Sequence, residues 1–268
     1  MSQTVSIAIE TSCRLGGVAL GRGEELLAAE SFDASSRHAT QLVGRLAELL
    51  RRADLRPRDL REAYVSVGPG SFTGTRIGVT VARTLAQTVP HLRCVAVASP
   101  AAVAEAARGM SWRHLAVVLD AREGLIHATL FGRTPPAAGD RLRDHDRADE
   151  GASPAPSQPA PHQVDSGVMS PAELLARAPR PLMLLGEGLA YHDLTGDGVT
   201  IPGRDVLAPP HLPTAESVWR VGRRLARAGL FTPAGRLLPI YSRPPEAVRL
   251  WQRTHGIDGA GEAADNDH

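Results

Sequence analysis

Residues 64–79 read YVSVGPGSFTGTRIGV: a short apolar run breaks into a glycine-rich loop, and the loop opens directly into an amphipathic helix. Val65 and Val67 are β-formers ending at Gly68, Gly68-Pro69-Gly70 dictates a turn, and Ser71 or Thr73 is placed to cap the helix. Backbone N–H groups at such a helix start form a ready anion site. A lone loop of this kind is more often a tight strand-to-helix turn in an α/β sheet. The spelling excludes two chemistries. Residues 68–75 lack the G-x-x-x-x-G-K-[ST] spacing of a P-loop, and Ser71 is flanked by Pro69 and Thr73 where a nucleophile elbow needs glycines.

Outward from the loop, strand and helix alternate. Residues 5–10, 17–20 and 26–31 are short apolar runs separated by glycine turns, a three-strand meander. Residues 37–53 carry Leu42, Val43, Leu46, Leu49 and Leu50 at helical spacing. After the loop helix come a strand at 93–97 and a helix at 100–107 capped by Ser99. A second unit starts near His114 with strands at 115–119 and 125–131. Between 134 and 163 the pattern collapses into Pro135, Pro136, Pro154, Pro156, Pro159 and Pro161 with a charge-mixed run and no aromatic residue. Such a stretch buries too little apolar surface to offset its ordering entropy, and it reads as a disordered insertion.

Structure is expected to resume at Ser170-Pro171-Ala172-Glu173, a capped helix start, followed by a strand at 182–185 and a helix at 215–228 that returns to the first unit. That last helix has Arg220, Arg223, Arg224 and Arg227 on one face and Val218, Val221 and Leu225 on the other, most simply a solvated surface and a core stripe. Residues 252–268 are polar and glycine-rich, an expected disordered tail. The order of elements resembles the duplicated actin-like and Hsp70-like ATPase (ASKHA) fold, an α/β architecture of two domains facing each other across a cleft. The first domain would comprise 1–108 plus 214–231, and the second, smaller one 109–213 with the insertion at 134–163.

Composition limits the chemistry. With 268 residues and 43% hydrophobic content the chain has enough material for two cores. No apolar run approaches the roughly 20 residues of a membrane span and no basic segment leads into an apolar one, so a cytoplasmic protein is expected. Cys13 and Cys94 form no C-x-x-C pair and read as small buried apolar residues. A net charge of +1 gives no electrostatic footprint for binding RNA alone. All 30 basic residues are arginine, which excludes a P-loop lysine, a Schiff-base lysine and a lysine general base. The ten histidines contain no H-x-x-x-H pair, since Leu42 follows His38 by four and Phe131 follows His127 by four, so no metal set is expected.

The stretch IAIETSCRLGGVAL at 7–20, His38-Ala39-Thr40 opening a helix, GPGSFTG followed by Arg76-Ile77-Gly78, Val118-Leu119-Asp120-Ala121-Arg122, Leu184-Leu185-Gly186-Glu187-Gly188 and LPIYSR at 238–243 occur in an order that resembles the TsaB family. Members partner TsaD in making threonylcarbamoyladenosine in tRNA. The resemblance covers about residues 4–251 with a gap in the middle. Glu10 stands where the family usually has Asp, and Thr75 where a larger apolar residue is usual. The related TsaD branch carries a metal-binding histidine pair on the helix that here holds only His38.

The loop helix itself suggests a partner. At 100° steps its apolar and small residues cover an arc of about 200°, roughly twice what one-sided burial needs. Ile77, Val81 and Leu85 suffice to pack on the sheet, leaving Gly78, Ala82 and Ala86 with Val79 for close approach of another helix. Burial on both sides within the same chain has nearly equal weight on the sequence alone. The resemblance tips the balance, since TsaB and TsaD associate through the first two helices of each first domain. It implies an interface of His38, Leu42, Arg45, Arg76, Val79, Ala82, Arg83 and Ala86.

The resemblance therefore implies a catalytically degenerate ATPase fold acting as a scaffold. It would have no catalytic or metal-binding residues, and Gly68, Gly70, Ser71 and Thr73 would form a degenerate phosphate loop. No cofactor would bind this chain alone; ATP and a metal ion belong on the partners, a TsaD-like catalytic subunit and a TsaE-like ATPase, with tRNA engaged through the complex. Self-association through the same helix face, in the partner's absence, stays open. An independent phosphotransferase of the same superfamily, with Glu10 near a metal and 68–73 near phosphate, is the alternative. A metallopeptidase is contradicted by the missing histidine pair.

Overall fold

The computed structural model describes residues 3–33, 38–133, 161–203 and 205–243, together with 251 and 254. Two five-stranded mixed sheets organise these residues. In the first, β1 (Val5–Glu10), β2 (Leu15–Arg22) and β3 (Glu25–Asp33) form an antiparallel meander, and β4 (Leu60–Gly68) and β5 (Arg93–Ala98) add in parallel to give the order β3-β2-β1-β4-β5. α1 (His38–Arg52) precedes β4, and α2 (Phe72–Thr88) joins β4 to β5.

The central strands are buried on both faces, which is why they read as near-continuous apolar runs. Ile7, Ile9, Ala63, Val65 and Val67 point into the layer under α1 and α2, while Ala8 and Tyr64 point the other way, under α5 (Ala215–Arg227). Full burial of each Ile or Val contributes about 1.5–3 kcal/mol, so this alternation is what holds β1 and β4 in register. α5 starts from a reciprocal cap between Thr214 and Ser217 and lays Gly222 on the Tyr64 ring, where any Cβ would overlap the aromatic atoms. Its arginines are paired: Arg220 with Glu216 at 2.7 Å, Arg224 with Glu105 at 2.7 Å, and Arg227 with Glu24 at 3.2 Å.

The second sheet runs β10-β9-β6-β7-β8, built from β6 (His114–Asp120), β7 (Ile126–Gly132), β8 (His162–Met169), β9 (Leu182–Leu185) and β10 (Val199–Thr200). α3 (Ser99–Ala106) packs Val103 and Ala104 against Leu115, Val117 and Leu185 on one face. α4 (Pro171–Arg177) packs Leu174 against Ala116, Val118 and Leu184 on the other. The α4 start is as read from sequence, with Ser170 and Glu173 exchanging cap bonds.

Two expectations need correction. The expected disordered stretch lies mostly outside the described residues, but its last residues, 162 and 163, belong to β8, which pairs antiparallel with β7. This strand is almost wholly exposed at the sheet edge, so HQVDSGVM shows no apolar alternation to betray it. Ser99 does not cap α3: Ala98 occupies the cap position without a side-chain bond, and the Ser99 hydroxyl turns to Ser12 and Ser66 instead.

Candidate functional site

The glycine loop at 68–71 sits on the chain that leaves β1. Ser71 N donates to the Ser12 carbonyl at 2.6 Å, and Thr11 Oγ1 donates to the Gly74 carbonyl at 2.8 Å. A Cβ at Gly70 would overlap the Ser12 carbonyl and one at Gly74 the Thr11 carbonyl, so only glycine allows this contact. Ser71 caps α2 by accepting from Gly74 N at 3.2 Å, as the spelling of the loop suggested. Thr73 is exposed. Gly68 is covered from outside: Ile240 N donates to the Val67 carbonyl at 2.7 Å, and Tyr241 places its ring 4.8 Å from that of Phe72. Of the amides around this helix start, those of Ser71 and Gly74 are already taken inside the chain.

Beside the loop lies Glu10, fully buried at the end of β1. Its Oε1 accepts from the Ser12 amide and from Ser12 Oγ at 2.6 Å. Ser99 Oγ donates to Ser12 Oγ at 2.7 Å and lies 2.9 Å from Ser66 Oγ, so four side chains make one hydroxyl-to-carboxyl chain. Glu10 Oε2 has no partner among the described residues. Burial drives the Glu10 carboxyl up to about 7, against the lowering effect of its Ser12 bonds. Across the cleft, burial and the Asp120 carboxylate also push Glu187 up, and Asp120 Oδ1 is 3.0 Å from His192 Nε2. Burial pushes the Cys13 thiol up as well, which leaves it unreactive.

The described residues do not fit a metal ion. Among the described residues no three His, Cys, Asp or Glu side chains converge on a point that could hold a metal ion. Glu10 offers one free oxygen, and its complete burial disfavours the charged form a hard cation needs.

The helices α1 and α2 present a different kind of surface. Of the residues expected at a partner interface, Leu42, Val79 and Ala82 are in the core, at 0%, 3% and 0% exposure. Arg45 and Arg76 are exposed, Arg83 and Ala86 are half-buried, and His38 is the first residue of α1. The expected orientation of α2 is therefore corrected. Gly74, Gly78, Val79 and Ala82 face the sheet, because the small residues let α2 close on β1 until a Gly78 Cβ would strike Thr11 Oγ1. Ile77, Val81 and Leu85, expected to be the buried anchors, keep partial exposure. Val43 on α1 is 52% exposed, and sequence reasoning assigned it only to the core stripe. Arg76 lies over the Phe72 ring at 4.7 Å, next to a groove of ≈ 400 Å³ between α2 and Pro239 and Tyr241.

Comparison with known proteins identifies the relatives of this arrangement. The family described as TsaD, tRNA N6-adenosine threonylcarbamoyltransferase, matches residues 32–165, half of the chain. The chain is 27% identical over 248 residues to tRNA threonylcarbamoyladenosine biosynthesis protein TsaB of Bacillus subtilis (strain 168), covering 91% of this chain and 96% of that protein. It superposes on YeaZ from Pseudomonas aeruginosa with a TM-score of 0.67 at 21% identity, covering 89% of this chain and all of that one. A second Pseudomonas aeruginosa structure, of an uncharacterized protein with similarity to peptidase YEAZ, gives 0.68 at 22% identity over 90% of this chain. These likenesses show the two-domain fold.

Proposed function

Because the chain belongs to the tRNA N6-adenosine threonylcarbamoyltransferase (TsaD) family and is TsaB/YeaZ-like within it, we propose that it is the non-catalytic scaffold subunit of a tRNA threonylcarbamoyladenosine-forming complex. Its partner is a TsaD-type catalytic chain, held along α1 and α2. One observation carries the reading: Val43, Ile77, Val81 and Leu85 keep apolar surface exposed on the two helices, beside a loop whose Ser71 and Gly74 amides are engaged within the chain. Apolar side chains left half-covered on adjacent helices are suited to a helical partner.

The TsaD-type chain supplies the metal site, a TsaE-type ATPase supplies nucleotide hydrolysis, and tRNA is engaged by the assembly in the cytoplasm. The same exposed strip would support self-association when the partner is absent. ATP binds the isolated chain no more tightly than millimolar, about −4 kcal/mol. Micromolar binding with turnover in calorimetry would instead establish an independent phosphotransferase. The test of the scaffold is Val43→Asp, read by co-purification with the TsaD-type chain of the same organism and by mass spectrometry of digested tRNA. Burying an unpartnered carboxylate in the contact costs several kcal/mol, so association and modified adenosine should fall together. A variant that loses its partner while the modification stays at its normal level rejects the scaffold role.

A further inference from the structure

The end of the first sheet remote from Glu10 carries an open groove of ≈ 960 Å³. Register places its arginines on three different strands: Arg22 ends β2 opposite Val5, Arg61 is the second residue of β4, and Arg93 begins β5 opposite Glu62. His91 and Gln3 complete the polar wall, and Asp59 is the one acid lining it. Arg56 and Arg58, exposed on the turn that leads to Asp59, extend the rim.

Arg61 and Arg93 are held in place without being used up. Arg61 Nη1 donates to the carbonyls of Arg58 and Leu60 at 2.7 and 2.9 Å. Arg93 Nη2 donates to Glu62 at 2.7 Å, and Arg93 Cζ lies over the Phe231 ring, 3.8 Å from its centroid. Each bonds through one nitrogen of a group that has five N–H donors. Arg22 has no side-chain partner among the described residues. Asp59 is occupied, accepting from Arg56 N at 2.8 Å. The three guanidiniums thus exceed the Asp59 and Glu62 carboxylates beside them by one charge, and Arg22 and Arg61 have no ion-pair partner among the described residues.

Small-molecule pockets of this size are lined mostly by apolar and aromatic groups, whereas here only Val5 and Leu55 are apolar against seven polar or charged residues. Apart from the His91 imidazole, no ring lines it to stack a base. Several guanidiniums with spare donors beside a single imidazole match a repeated anion read without regard to sequence. We propose that this groove binds the phosphodiester backbone of tRNA, a contact that rests on the role assigned above and places the nucleic acid at the strand-start end of the first sheet.

The test uses the co-purified complex of this chain with its TsaD-type partner and an unmodified tRNA transcript, with affinity measured between 50 and 200 mM salt. Replacing Arg22 and Arg61 together by alanine removes two phosphate contacts, so the slope of log K against log salt should become shallower by about 1.8. Over that range the wild-type affinity should then fall about 12-fold more than the variant's. The Arg22→Lys, Arg61→Lys pair keeps the charges and should restore the slope. Complex that forms normally and binds tRNA with unchanged salt dependence after both arginines are removed overturns the groove. So does displacement of tRNA by inorganic phosphate at equal phosphate concentration, which would mark a small-anion pocket. Loss of the partner from wild-type preparations is the separate failure, and it rejects the subunit role itself.

Discussion

Thr11 gives its hydroxyl hydrogen to the carbonyl of Gly74, 63 residues away, and this 2.8 Å bond ties the end of β1 to the first turn of α2. The approach is close enough that a methyl group at position 74 has nowhere to go. Gly74→Ala should therefore destabilise the fold by about 3 kcal/mol, the upper end of overpacking in a close-packed interior. Gly44 on α1 is the matched control, with nothing within 4 Å of a Cβ added there. Gly44→Ala should raise stability by about 0.5–1 kcal/mol through helix propensity alone. Urea unfolding of both variants checks the pair, and equal effects would mean that α2 is not seated on β1 as described.

Glu10 makes stability depend on pH in a direction unusual for a carboxylate. Its folded value of about 7 lies above the ordinary 4.5, so between those limits the native state holds a proton that the unfolded chain has released. Stability is full below pH 4.5, falls as pH rises through the window, and above pH 7 is lower by about 3 kcal/mol. Glu10→Gln keeps an acceptor for Ser12 and cannot ionise. It should flatten this part of the profile and exceed the wild type by a similar amount at pH 8. Denaturant titrations at several pH values decide it; a variant that follows the wild-type curve would show that another group sets the dependence.

Substitutions on the two sides of α2 and α1 should separate folding from association. Val79 is 3% exposed, so Val79→Asp places a charge in the layer between helix and sheet and should unfold the domain. Val43→Asp, at a site 52% exposed, should leave the thermal midpoint of the isolated chain within the small range of surface changes, about 0.5 kcal/mol. Circular dichroism melts of the isolated variants measure both. A well-folded Val79→Asp would contradict the burial of this face.

Much of the first sheet is legible in the residues themselves. In β4, Ala63, Val65 and Val67 alternate with Tyr64, and the punctuation of Gly68-Pro69-Gly70 and Ser71 ends the strand and starts the helix where the structure does. The facing of α2 is not legible, because Gly74 and Gly78 are equally suited to a partner helix and to a strand end. Only the non-local position of Thr11 decides between them. For the same reason the Glu10, Ser12, Ser99 and Ser66 chain has no local signal: its members come from three separate segments, and Ser99 looks like a helix cap until Ser12 is placed beside it. The arginine groove is hidden likewise, since Arg22, Arg61 and Arg93 meet only through strand register.

Arg243 should prove to be a fastening for the C-terminal segment. Its Nη1 donates to the Ala121 carbonyl at 2.7 Å and its Nη2 to Glu123 at 2.6 Å. Glu123 is more than half exposed, so solvent screens much of that pair, and the backbone bond is the more durable contact. Arg243→Ala should cost about 1 kcal/mol globally and raise amide exchange at Ile240 well above the wild-type rate. Unchanged exchange at Ile240 would show that Phe72 and Tyr241 alone keep the segment down.

That segment has a mechanical meaning. Ile240 is bonded to Val67 of the first sheet, and three residues later Arg243 is bonded to Ala121 beside the second. Any swing of one half against the other must snap a rung of this short ladder before the jaws can part. Each rung is worth only about 1 kcal/mol, so the ladder acts as a light latch that biases the two halves toward one setting.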